Sequence, residues 1–313
     1  MSSVLEVRIT DAKMLTPVIR ELTFVNPSGR LPGFSAGSHV QVHLPLGERN
    51  LRNAYSLTSD PADLHHYRIA VRLQDDSRGG SRFLHQQVQV GDSLRISPPA
   101  NLFALHSAAR QHILIAGGIG ITPFLAYITA LEQRNADFEL HYAYRKGLTD
   151  AYTDELQQRL GTCLHGYDRS AGETLDLAAV LRARPLGSHV YVCGPERLLM
   201  GVKEQAKALG WPEGRVHWEA FSGAEPGLPF SLELARSGRR IQVSAEQSLL
   251  EALESAGVEI PNLCRGGVCG QCATRHLKGD IEHRDHVLSA AEQAEFLMPC
   301  VSRACGSSVL LDL

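Results

Sequence analysis

Short alternating runs of apolar and polar residues fill the first third of the chain. Stretches such as SHVQVHL (Ser38 to Leu44) and YRIAVRL (Tyr67 to Leu73) put an apolar side chain at about every second position, and Gly, Pro, Asn and Asp separate them. A period of two belongs to a strand with one buried face, so Leu5 to about Phe103 is predicted to form an antiparallel barrel or sandwich. From about Gln111 the pattern changes. HILIA is a continuous apolar strand, TPFLAYITALEQRN a helix, FELHYAYR a strand, DAYTDELQQRL a helix and SHVYVCG a strand. Strand and helix in alternation predict a parallel, doubly wound sheet.

Glycines and prolines in FSGAEPGLPFS (Phe221 to Ser231) read as a linker. Beyond it, FSLELARSGRRIQV predicts a strand pair turning at Ser237 and Gly238. SLLEALESAG then predicts a helix ended by Gly257, as in a β-grasp domain. The expected organisation is therefore β, then α/β, then α+β, with domains at 1–105, 106–225 and 226–313.

Composition narrows the function. The chain has 313 residues, a formal charge of −3 and no long basic run, so neither nucleic acid nor an anionic membrane is an expected partner. The apolar stretch from Ile113 to Leu131 has the length of a membrane span, but its glycine cluster and Pro123 mark a strand turning into a helix. MSSVLEVRITDAKML lacks the features of a signal peptide, which predicts a cytoplasmic protein. Seven cysteines, three of them in CRGGVCGQC, fit a secreted disulfide framework poorly.

Cys264, Cys269 and Cys272 have the spacing C-x4-C-x2-C, and Cys300 stands alone downstream in MPCVSRA. Structural zinc sites use two closely spaced pairs, whereas this spacing is that of a plant-type [2Fe–2S] cluster. Gly266, Gly267 and Gly270 would let backbone N–H groups approach the sulfurs. A zinc site and unligated thiols are the competing readings. Cys305 is a weaker fourth ligand than Cys300, and Cys163 reads as an incidental thiol.

The last eighty or so residues resemble plant-type ferredoxin, and the whole chain resembles the phthalate dioxygenase reductase family, the reductase components of Rieske-type oxygenases. The resemblance implies an antiparallel flavin-binding β-barrel, a doubly wound nucleotide-binding domain and a C-terminal β-grasp ferredoxin domain. It rests on further motifs in the family's order. In RNAYSL it implies that Arg52 binds the flavin phosphate, Tyr55 packs on the ring and Ser56 approaches N5. Gly79, Gly80 and Ser81 precede a helical stretch and would offer N–H groups to the FMN phosphate, or simply cap a helix. AGGIGITP follows a buried strand and opens a helix, which places Gly117, Gly118, Gly120 and Thr122 at a nucleotide pyrophosphate, or in a turn built for tight packing. In VCGPERLL, Cys193 with Gly194 and Pro195 would lie beside the nicotinamide, and Phe221 would shield the flavin. Arg145 and Lys146 end a strand where a 2′-phosphate would be read. The paired histidines, His65 with His66 and His283 with His286, read as surface.

These cofactors imply a division of labour. A nicotinamide gives two electrons as hydride, a cluster accepts one, and a flavin converts between them. The expected protein is an electron-transfer reductase using NADH rather than NADPH and FMN rather than FAD, with Ser56 and Cys193 at the hydride-transfer point and a Rieske-type oxygenase as acceptor. A cytochrome P450 or other acceptor is the alternative of the same class. A zinc-binding regulatory protein with vestigial flavin motifs is the alternative of another.

Overall fold

A computed structural model describes residues 4–47, 49–75, 78–221 and 223–313. The described chain divides into two compact units, residues up to Leu46 with Ala54–Phe221, and Gly47–Asn53 with Ser222–Leu313.

The first part of the chain forms β1 (Leu5–Thr16), β2 (Ile19–Val25), β3 (Ser38–Leu46), β4 (Arg49–Ser56), β5 (His66–Arg72), helix α1 (Gly80–Gln86), β6 (Ser93–Ile96) and β7 (Ala100–Asn101). These strands make a seven-stranded sheet in the order β4-β3-β6-β1-β2-β5, with β7 also on β3. The alternating pattern fills its interior: Val7, Ile9, Leu22, Phe24, Val42, Leu44, Ile69 and Ile96 are almost fully buried. Strand β3 departs from the expected half-buried character. His39 and Gln41, the polar members of its alternation, are 4% and 7% exposed. Both faces of β3 are covered at that point, so period two marks the strand without marking a solvent face.

The doubly wound sheet follows the predicted texture. Its elements are β8 (Gln111–Gly117), α2 (Thr122–Gln133), β9 (Asp137–Tyr144), α3 (Thr153–Leu160), β10 (Leu164–Asp168), α4 (Leu177–Leu181), β11 (Ser188–Cys193), α5 (Glu196–Ala208) and β12 (Val216–Glu219). All five strands are parallel, in the order β10-β9-β8-β11-β12. Successive β8 residues serve opposite faces. Leu114 and Ala116 pack with Phe124, Tyr127, Leu156 and Tyr191, while Ile113 and Ile115 pack with Val180, Leu199 and Val202. The stretch Ile113 to Leu131 is thus split between β8, a 3-10 turn and α2. Among the described residues no helix is long and apolar enough to cross a membrane.

The C-terminal part forms β13 (Phe230–Leu234), β14 (Arg240–Val243), α6 (Leu249–Ser255), β15 (Thr274–Lys278), β16 (Ile281–Glu282), α7 (Ala290–Gln293), β17 (Phe296–Leu297), β18 (Arg303–Ala304) and β19 (Ser308–Leu311). The main sheet runs β14-β13-β19-β15-β17, with β16 and β18 paired separately. Helix α6 starts with a capping box in which Ser248 and Glu251 satisfy each other's backbone N–H groups. Its Leu249, Leu250 and Leu253 pack on Leu232, Val243 and Val309, and Gly257 follows its end with φ of +75°. The three larger sheets match the three expected architectures.

Candidate functional site

The candidate nucleotide residues lie at the carboxyl ends of the parallel strands, where open α/β sheets bind ligands. Gly118 has φ of +54°, a left-handed backbone that glycine adopts without strain. Gly120 approaches β11 so closely that a Cβ there would stand 2.2 Å from the Cys193 carbonyl oxygen. A Cβ on Gly117 would meet Pro195 at 2.8 Å, and one on Gly194 would meet Leu198 at 3.0 Å. The two glycine motifs are therefore in backbone contact with each other, and packing alone requires glycine at 120 and crowds a larger residue at 117 and 194. Thr122 is buried and its hydroxyl donates to the Ile119 carbonyl at 3.0 Å.

Three polar side chains meet at the next point. Ser56 ends β4 and is 4% exposed; Cys193 ends β11 and is fully buried. Glu219 ends β12 as the register partner of Cys193, and the Ser56 hydroxyl donates to its Oε2 at 3.5 Å. Burial pushes the Glu219 carboxyl up to about 8, against the pull of the serine bond. Burial, reinforced by Glu219, also pushes the Cys193 thiol well above its ordinary value. Both shifts favour the uncharged forms at neutral pH. Glu219 was not among the residues singled out from sequence. Its only signal is an acid between two apolar residues in HWEAF. Tyr55, next to Ser56 in the chain, is half-buried, and Phe221, two residues after Glu219, is 41% exposed although most large apolar side chains are covered.

Helix α1 begins at Gly80 rather than after Ser81, with Gly79 at its cap in a left-handed conformation, φ 108°. Ser81 does not cap it: its hydroxyl oxygen accepts the Gln74 N–H at 3.2 Å. At the far edge of the sheet, Arg145 and Lys146 follow β9, and Asp168 ends β10 opposite Tyr144. The Asp168 carboxylate accepts from Ser170 N–H at 2.9 Å and Lys146 N–H at 3.2 Å, and the serine bonds hold its pKa below the ordinary value.

The cysteine loop lies in the second unit. Cys272 and Cys300 are buried with sulfurs 3.4 Å apart. The neighbouring Cys269 sulfur pushes the Cys264 thiol up, and the same pairing draws the Cys269 thiol down. The Gly266 N–H reaches Cys264 Sγ at 3.4 Å, and the Val268, Gln271 and Gly267 N–H groups face Cys264, Cys269 and Cys300. Four thiols ringed by amide donors fit a metal-bound sulfur cage, because four neighbouring thiolates need a cation among them. Cys305 is exposed. Arg52 belongs to this unit too, and its Nη1 donates to Glu254 Oε1 at 3.2 Å.

In another cluster, Glu139 and His141 are satisfied by their neighbours. Glu139, His141 and His165 bring ligand atoms within 4.8 Å of one another. His141 already bonds Glu139 at 2.7 Å and the Tyr167 hydroxyl at 2.9 Å, and Arg184 pairs with Glu139 at 2.5 Å. The two imidazoles are stacked at 15°, so their ring nitrogens do not converge on one ion. His283, expected at the surface, is only 16% exposed beside Asp285.

A nucleotide-binding sheet, a flavin-type barrel and a ferredoxin-type cysteine loop define an electron-transfer oxidoreductase of oxygenase systems. Comparison with known proteins places the chain in that class: it belongs to the phthalate dioxygenase reductase family. Residues 232–305 match the 2Fe-2S iron-sulfur cluster binding domain, which identifies the metal group and sets the zinc reading aside. Residues 92–216 match the N-terminal domain of the dimethylamine monooxygenase subunit DmmA-like family. The chain is 66% identical, over the full length of both, to the heme-dependent oxidative N-demethylase beta subunit of Ectopseudomonas mendocina. It is 44% identical to the carnitine monooxygenase reductase subunit of Escherichia coli, covering 98% of each chain. Its fold matches phthalate dioxygenase reductase, described as a modular structure for electron transfer from pyridine nucleotides to [2Fe-2S], with TM-score 0.90, 33% identity and coverage of 99% and 98%.

Proposed function

We propose that this protein is the NADH-dependent reductase component of an oxygenase system, with FMN as its flavin, cytoplasmic, and organised as domains 1–105, 106–225 and 226–313. The observation that carries the reading is the meeting of Ser56, Cys193 and Glu219 in a chain that also holds the four-cysteine loop. When bound, the flavin takes hydride from the nicotinamide and passes electrons singly to the cluster. Ser56 supplies a hydroxyl at the transfer point. Neutral Glu219 and un-ionised Cys193 keep negative charge away from a place crossed by a hydride. The N–H groups of Gly79, Gly80 and Ser81 hold the flavin phosphate, with Tyr55 and Phe221 flanking the ring. Gly117, Gly118, Gly120, Thr122, Gly194 and Pro195 shape the nucleotide seat. Cys264, Cys269, Cys272 and Cys300 hold the cluster.

Asp168 supports NADH. An acid at a strand end of such a sheet bonds the ribose hydroxyls and repels a 2′-phosphate, and Asp168 stands beside the Arg145 and Lys146 that would otherwise attract one. Anaerobic titration with NADH tests the core of the proposal: flavin and cluster absorbance both bleach. Bleaching by NADPH alone overturns the nucleotide assignment, and an unbleached cluster overturns the internal electron path.

The acceptor we propose is a haem-containing oxygenase component that removes an N-methyl group from an amine. The 66% identical relative and the match at residues 92–216 support it. The Rieske-type acceptor implied by the family is the second reading. Reconstitution with each kind of component separates them, and turnover only with the Rieske component overturns the first.

A further inference from the structure

Glu254 occupies the last turn of α6 and is 15% exposed. A carboxylate at that end of a helix faces the negative pole of the dipole, so its burial there calls for compensation. Arg265 supplies it: Nη1 and Nη2 each donate to one Glu254 oxygen at 2.8 Å, and Nη1 also reaches Asn262 Oδ1 at 3.1 Å. This is a two-pronged guanidinium–carboxylate pair, stronger and more directional than a point-charge contact. Arg52 and Asn262 donate to the same carboxylate at 3.2 and 3.4 Å.

Arg265 directly follows Cys264, its side chain is 7% exposed, and its backbone has φ of +53°. A long side chain ordinarily avoids that left-handed conformation. Here it turns the chain so that the next residue, Gly266, points its N–H at the Cys264 sulfur at 3.4 Å. A glycine at 265 would adopt the turn more easily, but it would have no side chain to anchor the loop.

We infer that Glu254 is a positioning residue for the iron–sulfur cluster: by holding Arg265 in a fork it fixes the left-handed turn that aims amide donors at Cys264. The inference rests on the reading that Cys264 is a cluster ligand. Glu254 touches neither iron nor sulfur and acts only through Arg265. Partners that orient metal ligands typically contribute about 10- to 100-fold to metal retention.

The test uses the full-length holoprotein, reduced with dithionite so that the result does not depend on nucleotide or flavin. Two quantities are read: the rate at which a chelator strips iron from the oxidised cluster, and the EPR g-values of the reduced cluster. Glu254→Gln keeps the shape and removes the charge; Arg265→Lys keeps the charge and removes the fork. Both are expected to lose iron roughly 10- to 100-fold faster and to shift the g-values. A folded E254Q protein that assembles no cluster is the extreme of the same effect, and R265K then supplies the rate. Asp312→Asn, which breaks the exposed Arg236–Asp312 pair (3.0 Å) of the same unit, serves as control and is expected to change neither readout. Wild-type rates and g-values in E254Q and R265K would overturn the inference even if melting temperature fell. So would equal acceleration in the control, which would make general stability the cause.

Discussion

At residue scale, Glu219 has its charge set by burial. Its folded pKa of about 8 lies above that of an exposed carboxyl, so it favours the folded state fully only below the unfolded value. That contribution is lost as pH rises from about 4.3 through 8. Glu219→Gln, which is never charged, is therefore expected to match wild type near pH 4 and to exceed it at pH 9 by roughly 1–4 kcal/mol in flavin-free protein. Urea unfolding at both pH values checks this, and an equal difference at both would refute it. Replacing Cys193 by Ser puts a more polar group in a fully buried position and is expected to slow flavin reduction by NADH about 10-fold. Stopped-flow kinetics at saturating NADH reads that effect on the rate rather than on binding. Ser56 and Cys193 were legible because each stands in a short motif with recognisable neighbours. Glu219 and Asp168 were not, because a single acid at a strand end acquires meaning only from the strand beside it, and that pairing is a property of the sheet. Ser81 was legible as a residue, but its hydroxyl serves Gln74 rather than the helix.

At the scale of elements, β8, α2, β9, α3 and β11 could be read directly, since a run buried on both faces and a 3.6-residue repeat leave little ambiguity. Strand β10 and helix α4 could not: each has five residues, and β10 lies at the sheet edge with glycine in its middle. The contact between the two glycine turns was legible only as an alternative, yet it yields a sharp expectation. Gly120→Ala puts a methyl 2.2 Å from the Cys193 carbonyl oxygen, so the turn that follows β8 and the end of β11 must part. The cost is expected to be about 1–3 kcal/mol, with a marked rise in KM for NADH, measured by denaturation and steady-state kinetics. Strands β11 and β12 carry a second device. His189 Nδ1 lies 2.9 Å from His217 Nε2, and His106 stacks on His189 at 4.4 Å. Burial first, then neighbouring imidazoles, lowers His112 and His189 to about 4. Because the folded values lie below the unfolded ones, the stability they contribute is present above about pH 6.5 and is lost as pH falls through 4. Trp211 and Trp218 pack in the same part of the fold, so tryptophan fluorescence reports it. The unfolding midpoint is expected to fall steeply from pH 6.5 to 4 in wild type and less steeply in His189→Gln.

At the scale of the whole molecule, the chain holds two compact units, and the second has its own core. That core includes two of the proposed cluster ligands, Cys272 and Cys300, packed among Leu232, Leu250, Leu297 and Val309. Metal binding is thus part of the folding free energy of this unit, because ligands buried in a core bring the metal's affinity into its stability. The first unit owes its stability to the barrel strands and the doubly wound sheet, and contains none of the four cysteines. Calorimetry of the holoprotein is therefore expected to show two transitions, with cluster absorbance lost in one of them. Cys300→Ser removes a ligand and is expected to lower that transition by 10 °C or more, corresponding to roughly 2–3 kcal/mol in a domain of this size. The other transition should stay within about 2 °C. A single transition that shifts as a whole would mean that the two units unfold together and that the cluster stabilises the entire chain. Two transitions, only one of them metal-dependent, would mean that the iron–sulfur unit can be lost and rebuilt while the flavin- and nucleotide-binding unit remains folded.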